Sequence, residues 1–193
     1  RQLQKSGVKL FGSDKAPEMI KIAKEKGPAM IVYIIASTDN MPFENEQFDA
    51  ITAFSAFHWF SDKESVDEIK RVLKNGGLFF VVNKNDSGDF KEGYNALLKP
   101  FIQGELPDVK KKYNPSDILR ENDFGDVQER IFETSEFFTL PQATAYLQSV
   151  SIWNLVPNHK KEEALGAISD YCKAKLVNNF VERKLNVTAV SGI

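Results

Sequence analysis

The stretch from Ser37 to Val82 constrains this chain more than any other. An apolar run ends in Ser37-Thr38-Asp39-Asn40-Met41-Pro42-Phe43, and Phe48-Asp49 opens a second apolar run, Ala50-Ile51-Thr52-Ala53-Phe54. An aromatic cluster follows at Phe57-His58-Trp59-Phe60. Then comes an amphipathic segment closing in Arg71-Val72-Leu73-Lys74-Asn75-Gly76-Gly77, and a third apolar run from Leu78 to Val82. Strand, loop, strand, helix and strand in that order predict a parallel α/β sheet whose ligands lie at the carboxyl ends of its strands. Val66, Ile69, Val72 and Leu73 line one face of the helix. Ser61-Asp62-Lys63-Glu64 can cap its start as a capping box, and Asn75-Gly76-Gly77 can end it.

The segment before it reads the same way. Val8 to Phe11 forms a short strand, Gly12 allows a tight exit, and Asp14 stands where strand passes to helix. Pro17 and Glu18 suit the first helical turn, Gly27 stops the helix, and Met19, Ile20 and Ala23 form its buried stripe. Met30 to Ile35 is a continuous apolar run, as expected of a strand covered on both faces. In this wording the chain resembles the class I S-adenosylmethionine-dependent methyltransferases, where the corresponding pattern reads Leu-Pro-Phe, Phe-Asp and Arg-Val-Leu-Lys-Pro-Gly-Gly. The resemblance implies a Rossmann-like, doubly wound and mostly parallel sheet with strand order 3-2-1-4-5-7-6 and a C-terminal antiparallel strand. It also implies a glycine-rich loop after the family's first strand, and nothing in this chain matches that loop. Arg1 to Gly7 reads as the tail of the helix that should follow it. The expectation is that the sequence starts late by one strand-loop-helix unit of roughly 30 to 50 residues.

Bulk properties narrow the class further. At 193 residues, with 42% hydrophobic and 27% charged residues, the chain suits a single domain over 1–193. Residues 83–125 and 139–178 read as helical cap or lid regions. Val127 to Phe138 has strand character, as has Leu185 to Val190, while Tyr94 to Phe101 and Pro115 to Glu121 read as short amphipathic pieces of a helical insertion, and Gln142 to Val150 and Lys160 to Val177 as helices. A net charge of -2 gives no footprint for nucleic acid. The runs Lys110-Lys111-Lys112 and His159-Lys160-Lys161 read as solvated faces. One cysteine and two histidines leave a zinc site without support, and a lone Cys172 fits a reducing compartment. No run approaches a membrane span of about 20 residues. The expectation is a cytoplasmic protein without nucleic-acid or membrane partners.

For the chemistry, a carboxylate just past a strand of a nucleotide-binding sheet can hold both ribose hydroxyls, and Asp14 stands in that place. A helix-capping aspartate is the alternative reading of the same residue. The family reads Gly-x-Asp-x-Ser here against Gly12-Ser13-Asp14-Lys15-Ala16, so the resemblance implies that Asp14, with Lys15 beside it, binds S-adenosylmethionine. It also implies adenine contacts from Ser37, Thr38 and Asp39, where family members commonly carry Asp-Ala, and main-chain contacts to the methionine part at Ala53 and Phe54. An ordinary polar turn remains the other reading of 37–39. Phe57, His58 and Trp59 follow at the carboxyl edge. Aromatic walls tolerate a sulfonium, and His58 can take a proton from a hydroxyl or hold a carboxylate; core packing is the competing role for the aromatics. Trp153 lies in the segment Tyr146 to Trp153, the expected lid over a small methyl acceptor. The expected reaction is methyl transfer to oxygen of a carboxylate or hydroxyl. A non-catalytic methyltransferase-like binding protein and a nicotinamide-dependent dehydrogenase are the alternatives.

Overall fold

The computed structural model describes residues 7–102 and 113–193. The expected helix tail at 1–6 and the lysine run 110–112 lie outside those residues. The described chain divides into two compact units. One holds the chain up to Val81 together with Asn114–Gln128 and Val190–Ile193; the other holds Val82–Tyr113 and Glu129–Ala189.

The first unit opens with β1 (Phe11–Asp14), α1 (Pro17–Lys26) and β2 (Val32–Ile35). Strands β1 and β2 pair in parallel, with Phe11 opposite Val32 and Asp14 opposite Ile35, and they form a two-stranded sheet of their own. Then follow β3 (Phe48–Phe54), α2 (Lys63–Val72) and β4 (Leu73–Asp86). β3 begins the order β3-β4-β7-β5 of a separate five-stranded sheet, in which β5 spans Gln128–Phe138, β7 spans Phe180–Gly192 and β6 (Leu176–Val177) pairs with β7. If β1, β2, β3, β4, β5 and β7 stand for the family's second to seventh strands, both sheets follow the order implied by the resemblance. No described strand joins β1 to β3.

The core of this unit lies between α2 and the strands, with Phe57, Val66, Ile69 and Phe79 fully enclosed. Along β4 burial alternates, Gly77, Phe79, Val81 and Asn83 turning inward, as the period of a strand requires. Phe11, Phe43 and Phe48 form an edge-to-face trio, with centroids 4.7 to 5.6 Å apart, which packs the start of β1 against that of β3.

Several local expectations are corrected. The cap of α2 is Asp62 rather than Ser61, its carboxylate accepting from the Ser65 amide at 2.9 Å. This bond is the leading reason that the Asp62 carboxyl lies below its usual range. The helix ends at Val72, not at Asn75–Gly77. Leu73 is already extended, and the glycines shape a turn inside β4, where Gly76 takes a φ of +76°. Met19 is exposed, so Ile20 alone is buried on α1. Val32 and Ile35 are exposed as well; β2 is not covered on both faces, because its described sheet has one partner strand and one adjoining helix.

The second unit contains α3 (Asp89–Leu98), α5 (Leu140–Ser149) and α6 (Lys161–Ala174), while α4 (Pro115–Glu121) belongs to the first. Phe90, Tyr94, Leu147, Ile168 and Cys172 make its apolar core. The Tyr94 hydroxyl donates to the Leu147 carbonyl at 2.5 Å, and burial pushes its pKa well up. Lys160 to Val177 is not one helix. It stops at Ala174, and Asn178 and Asn179, with φ of +50° and +67°, turn the chain tightly between β6 and β7. Positive φ at both central residues is the requirement of a two-residue hairpin whose twist matches its strands, and asparagine tolerates it.

Candidate functional site

Asp14 ends β1, and Ile35, opposite it, ends β2. The Ala36 amide donates to the Asp14 carbonyl at 3.1 Å, so the chain leaves both strands side by side at one carboxyl edge. That brings Asp14 and Lys15 close to Ser37, Thr38 and Asp39. One carboxylate oxygen of Asp14 accepts from the Ala16 amide at 2.8 Å. That oxygen closes a local turn ahead of α1 and does not cap the helix, while the second oxygen has no hydrogen bond recorded among the described residues. Ala16, the residue before Pro17, supplies no side-chain cap, and α1 begins without one. After β2 the chain turns tightly, with the Asn40 amide donating to Ser37 at 3.3 Å and a single antiparallel bridge between these residues. Ser37 and Asp39 are exposed and Thr38 is half-buried.

β3 delivers Ala53, buried, and Phe54, 60% exposed, to its own carboxyl end. Ser55 then takes a φ of +50°, a left-handed conformation that costs a non-glycine residue about 1 to 2 kcal/mol. The bend carries the chain into a single helical turn, Phe57–Trp59. Here three adjacent aromatic residues part company. Phe57 is fully buried, its ring edge-on to Phe79 at 5.2 Å and to Phe60 at 5.7 Å. The acceptor-facing role expected of it is corrected to core packing, because the turn aims this side chain at β4. Trp59 is 75% exposed, and half-buried His58 lies tilted against it at 5.0 Å. Trp153 sits in the second unit, in a short helical turn at Ser151–Leu155. It packs on that unit's core with the Lys161 ammonium 6.0 Å from its ring.

Arg71 was part of the sequence pattern but not of the expected site, and the structure explains its place. Its guanidinium donates to both oxygens of Glu68 at 2.7 Å, to the carbonyls of Phe43 at 2.9 Å and Met41 at 3.2 Å, and to the Asn45 side chain at 2.7 Å. Glu68 in turn accepts from the Met41 amide. The pieces Met41-Pro42-Phe43 and Arg71-Val72-Leu73-Lys74 are thus two halves of one clamp that holds the loop before β3 against α2. Hydrogen bonding to Arg71 keeps the Glu68 carboxyl below its usual range against the opposing effect of burial.

Two larger cavities accompany these features, and neither is lined by the residues expected to hold a cofactor. One, of about 590 Å³ in the first unit, lies beside Asn45, Lys70, Lys74 and Asp123. The other, of about 770 Å³ in the second unit, lies beside Asp89, Phe137, Lys175, Phe180 and Lys184. Among the described residues no group of three or more His, Cys, Asp or Glu side chains could hold a metal ion, and no helix is long and apolar enough to cross a membrane.

Comparison with known proteins agrees with this arrangement. Residues 1–81 match the family model described as a methyltransferase domain. An uncharacterised methyltransferase of Schizosaccharomyces pombe is 25% identical over 166 residues, covering 85% of this chain and 64% of the relative. A demethylmenaquinone methyltransferase of Chlorobaculum tepidum is 34% identical over 77 residues, covering 39% of this chain and 31% of the relative. The chain thus spans less than two thirds of the length of these curated relatives. The crystal structure of the YcgJ protein from Bacillus subtilis superimposes with a TM-score of 0.55 at 20% identity, covering 95% of this chain and 81% of that one, which is a likeness of fold.

Proposed function

We propose that this chain, whose residues 1–81 match the methyltransferase domain model, is a class I S-adenosylmethionine-dependent methyltransferase serving methyl transfer to a small-molecule acceptor, at oxygen of a carboxylate or hydroxyl. The observation that carries this reading is the shared carboxyl edge of β1 and β2, where Asp14 and the turn 37–39 leave adjacent parallel strands. The donor set fits the adenosine end of the cofactor. The Asp14 oxygen without a recorded partner can accept from a ribose hydroxyl, and the Ser37 hydroxyl with the Thr38 main chain offers an acceptor and a donor to adenine. A serine in place of the family's aspartate makes that contact weaker than a charged one.

When bound, S-adenosylmethionine supplies a methyl group activated by its positively charged sulfur. The chain's share of the work is to bind, to orient and to take up a proton. Main chain at Ala53 and Phe54, at the end of β3, faces the methionine part in this reading. His58 accepts the proton released by a hydroxyl acceptor, or holds an acidic one in place. Trp59, exposed beside it, provides apolar surface for the acceptor.

Asp14→Ala should weaken S-adenosylmethionine binding by about 1.5 to 3 kcal/mol, the range for hydrogen bonds to a charged group. Titration calorimetry showing unchanged affinity would remove Asp14 from the site. His58→Ala should slow turnover by about 10²- to 10⁴-fold with cofactor affinity retained. Cofactor binding without turnover on any carboxylate or hydroxyl acceptor would favour the non-catalytic alternative.

A further inference from the structure

The cavity of about 770 Å³ in the second unit has a size ordinary for small-ligand sites. Its lining combines two features that packing leaves unexplained. Phe137 on β5 is 61% exposed and Phe180 on β7 is 45% exposed, and both rings border this space, with buried Phe90 contributing a third aromatic surface. Exposed aromatic rings converging on a concavity mark a place where an apolar body can be covered.

The second feature is the disposition of charge. Asp89 is held by the Lys175 ammonium at 2.8 Å, and the Glu182 carboxylate accepts from the Ser135 hydroxyl at 2.6 Å. Lys184, the remaining charged residue of the lining, has no side-chain hydrogen bond recorded among the described residues. Its stem runs past Gly88 at ordinary van der Waals distance. Lys175 is taken up by Asp89, which Lys184 also faces electrostatically, and of the two lysines Lys184 is the one without an ion pair at bonding distance among the described residues. β7 presents Phe180, Glu182 and Lys184 on one face, with the Glu182 carboxylate turned to the Ser135 hydroxyl, while Val181, Arg183 and Leu185 on the other face are buried. A strand rises about 3.3 Å per residue, so ring and ammonium are spaced roughly 13 Å along the strand at their Cα atoms, and both long side chains can lean into the gap.

We infer that this cavity is a binding site for a small aromatic carboxylate, its ring against Phe137 and Phe180 and its acid on Lys184. The site stands on residues of the second unit alone and does not depend on the cofactor reading above.

The test uses the 193-residue chain without S-adenosylmethionine and three probes: 3-phenylpropionate, its uncharged amide, and 3-cyclohexylpropionate. Saturation-transfer NMR and calorimetry should show saturable binding of the aromatic acid and at least about tenfold weaker binding of the amide, equivalent to about 1.4 kcal/mol. Binding of the cyclohexyl acid should also be weaker. Lys184→Gln should reduce affinity for the acid by about tenfold while leaving affinity for the amide unchanged, and Phe180→Ala should weaken both. Lys173→Gln, which alters an exposed ion pair outside the lining, should change nothing. Circular dichroism of each variant separates loss of the site from loss of the fold. Absence of saturable binding by any probe at about 10 mM, equal affinity for acid and amide, or insensitivity to Lys184→Gln in a folded variant would overturn the inference.

Discussion

Each unit is held by an arginine fork, and the two forks differ in burial and reach. Arg71, in the first unit, keeps a third of its side chain exposed and ties together residues 41–45 and 68. Arg183, in the second, is 10% exposed. It grips both oxygens of Asp86 at 2.7 and 2.9 Å and one of Glu136 at 2.9 Å, and its guanidinium carbon lies 4.4 Å from the centre of the Tyr146 ring. Lys84 closes the network on Glu136. The Arg71 clamp pins a loop to the helix beside it, so losing it frees a local segment. The Arg183 network joins three strands, β4, β5 and β7, around an Arg183–Asp86 pair withdrawn from water. Removing one member of a buried ionic cluster leaves the others unpaired, and that penalty exceeds what the pairing itself contributes to stability.

The largest expected effect follows from this. Arg183→Ala should destabilise the protein by about 3 to 5 kcal/mol, the range for breaking a buried pair. In a chain of this size that lowers the melting temperature by about 2 to 4 °C for each kcal/mol. Chemical denaturation of this variant beside Arg183→Lys checks the geometry too, since lysine keeps the charge but cannot reproduce the fork. Equal stability of Arg183→Ala and the parent would break the comparison outright.

Arg71→Ala should lower the melting temperature by less, and its clearer sign should be local. Amide exchange should accelerate from Met41 to Glu46, where Met41 and Glu46 donate to Glu68 and to the Arg71 carbonyl. If the Arg71 variant proved the less stable of the two, exposure would be the wrong variable for ranking these clamps.

The smallest effect is in acid. Glu68 is held below its usual pKa first by Arg71, and Glu136 first by Lys84 with Arg183 adding to it. A depressed carboxyl contributes stability that is fully present above the ordinary glutamate range and is lost as pH falls through the folded-state value, because the unfolded chain takes up the proton first. Stability of the parent should therefore decline as pH drops below about 4.5. Arg71→Ala removes the leading cause at Glu68 and should flatten that decline. Arg183→Ala leaves Lys84 on Glu136 and should flatten it less. Denaturation series between about pH 3 and pH 6 measure both slopes; a steeper decline in Arg71→Ala would contradict the assignment.

The two clamps also differ in how visible they were beforehand. Arg71 lies in a run whose wording, with Met41-Pro42-Phe43 and Phe48-Asp49, already pointed to a family and a strand order. Its role as the link between those pieces required the fold. Nothing in the sequence marks Arg183, Asp86 and Glu136 as partners, since their separations of 47 and 97 residues carry no local signal. At the candidate site the passage from strand to helix at Asp14 was legible, but the strand runs from Phe11 to Asp14 rather than from Val8 to Phe11, because pairing with β2 sets its bounds. The division of labour among Phe57, His58 and Trp59 was not legible, because the aromatic residues have similar affinities for a core. The hairpin at Asn178-Asn179 did carry a signal, an asparagine pair between apolar residues, and a helical reading of 160–177 overran it.

The sequence by itself determined the alternation of strands and helices up to Val82, the bounds of β3 at Phe48 and Phe54 and those of α4 at Pro115 and Glu121. Apolar period, proline placement and caps act within a few residues, and the chain carries them wherever it goes. The tertiary structure decided where α2 yields to β4, which aromatic enters the core and which acids meet Arg183. It also decided that Val32 and Ile35 stay exposed despite an apolar run that asks for burial. Burial and ion pairing depend on what the rest of the fold brings against a residue, and a side chain's own identity does not specify its neighbours.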